Sequence, residues 1–238
     1  MPGREYIDRA AVAPRGAVFD EGLRQHMLRV YNYMGSGVLL TGIIALLVAS
    51  TPALYQPIFG TPLKWVVMLA PLAFVFFLSF RMERMSASTA QTTFWAFAAV
   101  IGLSLASVFL VFTGMSIART FVIVAAMFAS MSLWGYTTKR DLSKFGSFLF
   151  MGVISVLIAS LVNLFLGSTL LQMVVSVVGV LVFTGLTAYD TQNIKAQYAE
   201  LHGHEANSKL AVIGALSLYL NFVNIFQLLL TFTGQRKE

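Results

Sequence analysis

No cysteine occurs among the 238 residues. The chain therefore has no disulfide, no thiolate nucleophile and no cysteine-based metal site. Charge is scarce as well: Asp, Glu, Lys and Arg make up 11% of the residues, whereas a soluble domain carries about 25%. Acids are the rarer sign, 10 against 16 basic residues, and histidine appears only 3 times. What fills the chain instead is apolar, with 58% hydrophobic residues and a mean hydropathy of +0.78. A soluble fold of this length has too little interior to hide so much apolar surface. The chain reads as an all-α membrane protein whose first partner is the lipid bilayer. Its net charge of +6 does not mark a nucleic-acid partner, because the basic residues stand in short segments between apolar runs. There they fit topology and anionic lipid. Residues 1–25 lack the apolar core and cleavage site of a signal peptide. They read as a polar cytoplasmic arm ahead of a membrane domain over 26–238.

A spanning helix needs about 20 mainly apolar residues. Seven segments meet that need, at 28–49, 63–80, 89–112, 119–137, 145–166, 170–190 and 210–232. Pro52, Pro57 and Pro62 break the chain after the first span, and Gly114 and Gly167 mark later turns. With the N-terminus in the cytoplasm, the inner segments hold 12 Lys and Arg residues, from Arg4 to Lys209. The outer segments hold 4, namely Lys64, Arg119, Arg236 and Lys237. This positive-inside bias places the N-terminus inside, and a seventh span carries the C-terminus outside.

One charge interrupts the apolar pattern. Asp190 closes a run from Leu170 that is otherwise free of charge. A carboxylate inside a spanning helix costs about 2.5–3.5 kcal/mol on insertion scales, so it marks ion handling, proton handling or a buried pair. The next span offers Ser217, Asn221 and Asn224 at spacings of four and three, which places them on one helical face. The two spans are joined by a short polar segment, so they run antiparallel and a polar seam between them is expected. For Asn224 alone a hydrogen bond between helices is the favoured reading. Arg81, at the end of the second span, is a candidate cation for Asp190, although a boundary arginine often reaches to lipid headgroups instead. Asp190 is also the one candidate metal-binding residue. His202 and His204 flank Gly203 in a loop with no placed carboxylate, a poor metal site.

Enzymatic readings fare badly. A serine protease within the membrane needs a buried histidine, and His26, His202 and His204 all lie outside the expected spans. No His-Glu-x-x-His pair is present for zinc. An intramembrane aspartyl protease needs a second catalytic aspartate, and the only other one beyond Asp20 is Asp141, in a loop. The last span holds no lysine for retinal. No enzyme activity and no cofactor are expected.

The segments Gly185-Leu-Thr-Ala-Tyr-Asp-Thr-Gln-Asn-Ile-Lys195 and Ala215-Leu-Ser-Leu-Tyr-Leu-Asn-Phe-Val-Asn-Ile-Phe226 resemble the signature of the Bax inhibitor-1 family. The loop Gly135-Tyr-Thr-Thr-Lys-Arg-Asp-Leu-Ser143 and the stretch Ala159-Ser-Leu-Val-Asn163 are similar to its bacterial inner-membrane branch. The likeness runs from about Gln25 to the C-terminus. It implies a seven-transmembrane helix bundle with the last helix near the centre, and a proton-sensitive calcium leak. In that picture two aspartates on spans six and seven share a proton and gate the pore, and an arginine on span two latches the first. Asp190 matches the first aspartate and Arg81 matches the arginine. The second aspartate falls at Asn221, which cannot ionise, so the resemblance carries the pore but not the proton-sharing pair. The cargo it implies is calcium or another cation. The competing reading is a non-conducting membrane regulator that binds a membrane-protein partner or lipid.

Overall fold

A computed structural model describes residues 15–198 and 203–237. The described chain is helical. Helix α1 spans Arg15–Ser50, α2 Pro52–Phe59, α3 Leu63–Arg81, α4 Ala87–Val111, α5 Gly114–Thr137, α6 Ser143–Leu166, α7 Thr169–Gln197 and α8 Gly203–Thr233, with a single 3-10 turn at Met82–Arg84. Hydroxyl residues start three of them: the side chains of Ser86, Thr113 and Ser168 accept from the backbone N–H of Thr89, Ser116 and Leu171. Each satisfies one of the donors that a helix start leaves without a partner. Gly167, at φ +60°, ends α6 in the left-handed conformation that glycine adopts without strain.

Six of these helices are long and apolar enough to cross a membrane: α1 from Glu21, then α4, α5, α6, α7, and α8 from Glu205. The protein is an integral membrane protein. The expected second span, 63–80, coincides with α3, and α2 precedes it through an 86° bend. The bent pair counts as one further span only if both halves are taken together. The prolines at 52, 57 and 62 read in the sequence as a plain break, whereas Pro52–Phe59 folds as α2. Pro52 sits at the helix start, where its missing N–H costs nothing, and Pro57 lies inside the short helix. Gly60 and Pro62 then separate the two arms.

The expected polar arm, 1–25, is only partly described. Residues 1–14 lie outside the described residues, whereas α1 already begins at Arg15. The same upstream extension brings His26 into α1, where it is buried, and not outside the spans as expected.

Helix α8 is the hub. It packs against α1, α4, α5 and α7, and 56% of its most apolar window is buried, against 6–39% in the other five candidate spans. Tyr219 shows how the hub is locked. Its ring is met edge-on by Phe94 and Phe97 at 5.6 and 6.1 Å, and its hydroxyl lies 2.6 Å from Thr41 Oγ1 on α1. Thr41 gives its only hydrogen to Ala98 O, so Tyr219 is the donor between them. By contrast α6 packs on α7 and α3 on α4, both at the rim. Large α6 side chains such as Phe148 and Phe165 are exposed, as expected for a lipid-facing surface.

A second directed chain of hydroxyls ties α1, α5 and α7. Thr191 donates to Thr187 O at 2.7 Å, so it accepts from Ser132 at 3.0 Å, and Ser132 in turn accepts from the Tyr31 hydroxyl at 2.6 Å. Near it, Gly135 lets α5 touch α7 backbone to backbone. A Cβ on Gly135 would lie 2.8 Å from Ala188 Cα. The loop after α5 is pinned to α7 by Gln192, which accepts from Leu142 N and donates to Arg140 O, both at 2.8 Å. In the same loop the Ser143 hydroxyl and backbone N–H donate to Asp141, holding that exposed carboxyl below its usual range. At the opposite end, the segment after α8 clasps the α4–α5 turn. Phe112 and Arg236 form an antiparallel bridge, Thr113 N donates to Gln235 O, and Lys237 N donates to Val111 O.

Candidate functional site

Helices α7 and α8 run antiparallel and pack closely, which brings Asp190 against one face of α8. Asp190 Oδ2 accepts from Asn221 Nδ2 at 2.7 Å and from Ser217 Oγ at 3.0 Å. The four-residue spacing of Ser217 and Asn221 stacks them one turn apart, so both reach the same oxygen. Asn221 is only 4% exposed, and Asp190 and Ser217 are half-buried. Asp190 lies seven residues, about 10 Å, before the end of α7. It therefore sits within the helix, and not at its end as the expected span 170–190 implied.

The two amides have forced orientations. A carboxylate oxygen and a backbone carbonyl only accept, so Asn221 must present its NH2 to Asp190 and Asn224 must present its own to Leu220 O, 2.8 Å away. The carbonyl oxygens of both amides remain as acceptors.

Asp190, Ser217, Asn221 and Asn224 all line one cavity of about 900 Å³ whose other walls come from α3, α4 and α6. Gln227 extends the polar side of this cavity outward along α8, and Tyr189 and Ser104 also border it. None of these three was picked out from sequence. Gln227 continues the spacing of Asn224 by three and was legible on that ground. A second cavity of about 710 Å³ adjoins the first, with Val75 and Leu220 as shared walls, and reaches Gln197 and Lys209.

Arg81 is not brought to Asp190. It is the last residue of α3 and exposed, and the hydrogen bonds to Asp190 come from Ser217 and Asn221. The reason is geometric: α3 leans on α4, and the large cavity lies between α3 and the α7–α8 seam. Two neutral donors hold Asp190 instead of a guanidinium. Among the described residues no group of three or more His, Cys, Asp or Glu side chains is placed to hold a metal ion. His202 lies outside the described residues, as does the side chain of His204. Nothing in the sequence points to the environment of His26: both ring nitrogens are buried without a hydrogen-bond partner, and the ring stacks tilted on Tyr198 at 5.2 Å.

Comparison with known proteins gives a consistent result. Residues 23–238 match the family described as Inhibitor of apoptosis-promoting Bax1. The chain is 44% identical over 234 residues to an uncharacterized protein of Rickettsia prowazekii, covering 98% of this chain and 99% of the relative. It is 45% identical over 229 residues to one of Caulobacter vibrioides, covering 92% of each. The inner membrane protein YbhL of Escherichia coli is 43% identical over 219 residues, covering 91% of this chain and 94% of the relative.

Proposed function

Because this chain belongs to the Bax inhibitor-1 family, we propose that it is a seven-span protein of a bacterial inner membrane through which cations, calcium foremost, leak along the α7–α8 seam. The observation that carries this reading is Asp190: a carboxylate held only by neutral donors and facing a cavity of about 900 Å³ within the membrane-spanning helices. An uncompensated charge there is costly, and a passing cation offsets that cost. Calcium takes oxygen ligands and tolerates irregular geometry. The seam offers the Asp190 carboxylate, the Ser217 hydroxyl and the amide oxygens of Asn221 and Asn224, with water supplying the rest. One carboxylate leaves a divalent ion only partly neutralised, so the ion binds well enough to enter and weakly enough to leave. The inner-membrane placement follows the description of the Escherichia coli relative.

Proteoliposomes loaded with a calcium indicator test the proposal. Purified protein is expected to admit calcium faster than empty vesicles, and Asp190→Asn to lower the rate by about tenfold, as for a loss of about 1.4 kcal/mol at the ion site. The variant should elute as folded protein, since an amide keeps one acceptor for Ser217. Wild-type rates in Asp190→Asn would remove that residue from the path. The same reading places the N-terminus in the cytoplasm and the C-terminus outside, from 12 inner against 4 outer basic residues. A reporter fused after the last residue is therefore expected to act outside the membrane, and cytoplasmic activity would overturn that topology.

A further inference from the structure

We propose that the cleft between α1 and α5 is a binding site for one anionic phospholipid, independent of whether the α7–α8 seam conducts. The cleft has a volume of about 520 Å³. Its walls are largely apolar, from Met27 on α1 and from Phe128, Ala129 and Leu133 on α5. Both helices lean on α8, and they are bridged to each other through the bond from Tyr31 to Ser132.

The polar atoms of the cleft explain why it suits an acyl chain. Tyr31 and Ser132 both border it, yet their hydroxyl hydrogens are committed inward along the chain that ends on Thr187 O. They ask for no acceptor from an occupant, so a hydrocarbon chain lies against them without leaving a hydroxyl hydrogen unpaired.

The charge lies at one end. The Tyr31–Ser132 bond sets the level of the two helices relative to each other. From it, Arg24 lies seven residues toward the start of α1, about 10 Å, and Phe128 lies four residues the other way, about 6 Å. Tyr136 stands at the Arg24 end, under the Lys195 ammonium at 4.9 Å from its ring, and Lys139 and Arg140 follow directly after α5. A tyrosine beside basic side chains is the pattern of a headgroup level. Glu21 holds Arg24 at 3.4 Å with both side chains exposed, a contact of the kind that is worth little and yields readily to a phosphate. The occupant whose chemistry matches an apolar slot in a spanning bundle bordered by Arg24, with further basic residues at the same level, is a phospholipid of net negative charge.

The test exposes the full-length protein in neutral detergent to equal amounts of phosphatidylglycerol and phosphatidylcholine. Lipid retained through gel filtration is then counted by mass spectrometry. A single retained lipid is expected, with phosphatidylglycerol favoured by about fivefold, the factor one basic residue near a headgroup supplies. Arg24→Gln should retain lipid but lose the preference. Ala129→Phe, which fills the cleft from an exposed position, should lose the retained lipid of both kinds. Arg84→Gln, a basic residue outside the cleft, should keep the wild-type preference. A preference unchanged in Arg24→Gln overturns the proposal, as does undiminished lipid in Ala129→Phe eluting like the wild type. If the phenylalanine variant fails to fold, Ala129→Leu is read by the same two criteria.

Discussion

At the scale of single residues the decisive contact is the 2.7 Å bond from Asn221 to Asp190. An amide donates there, so only one group on the seam exchanges a proton. Replacing Asn221 by Asp sets two carboxylate oxygens at that distance. They remain so close only with a proton or a cation between them, and the pair then titrates as a coupled unit. Calcium flux through Asn221→Asp is expected to depend more steeply on pH than wild-type flux across about pH 5 to 8, the range reached by strongly perturbed carboxyls. Superimposable profiles from two folded proteins would count against the seam as the site of any proton control. Asp141 supplies a control within the same molecule. Ser143 holds its carboxyl below the usual carboxylate value of 3.8. The contribution of that contact is therefore complete above 3.8 and lost only as pH falls through the lower folded value, outside the measured window. Asp141→Asn should leave the profile unchanged.

Between whole elements, contact depends on where the backbone lacks a side chain. Gly135→Ala puts a methyl group 2.8 Å from Ala188 Cα, against backbone that has no rotamer to give. Helix α5 must move off α7, which also stretches the Ser132–Thr191 bond one turn away. A cost of about 1–3 kcal/mol is expected, as for overpacked cores, read as a lower melting midpoint in detergent. Gly114→Ala, where nothing lies within 4 Å, should melt as the wild type, and equal midpoints for the two variants would refute the backbone-contact argument. Positions of this kind mark the limit of what the sequence discloses. Glycines recur throughout the sequence, but their recurrence does not say which one meets a backbone. Long apolar runs made α4 to α8 legible, because hydropathy responds to solvent and not to partners. Asp190, Ser217 and Asn221 were legible for a related reason: polar side chains stand out against apolar helices, and helical spacing puts them on one face. Arg81 was misleading. Its depth suited Asp190, but depth along the membrane says nothing about which side of α3 faces the seam. The buried His26 was hidden because polar residues at 15–25 do not look like the start of a span.

On the scale of the whole molecule the order of the helices acquires a meaning of its own. Helix α8 comes after every helix that it packs against, and the segment following it closes the clasp on the α4–α5 turn. Where helices enter the bilayer in chain order, α1, α4, α5 and α7 are there before α8. During that interval Thr41 on α1 has not yet met the Tyr219 hydroxyl, and Asp190 has neither Ser217 nor Asn221. Translation leaves the costliest charge of the bundle unattended until its final helix is threaded. A chain stopped before Gly203 should consequently be cleared faster than the full-length protein, with pulse-chase half-lives as the measure. Equal half-lives would mean that the ring stands without its hub. Biogenesis, on this account, is the moment of greatest exposure to quality control.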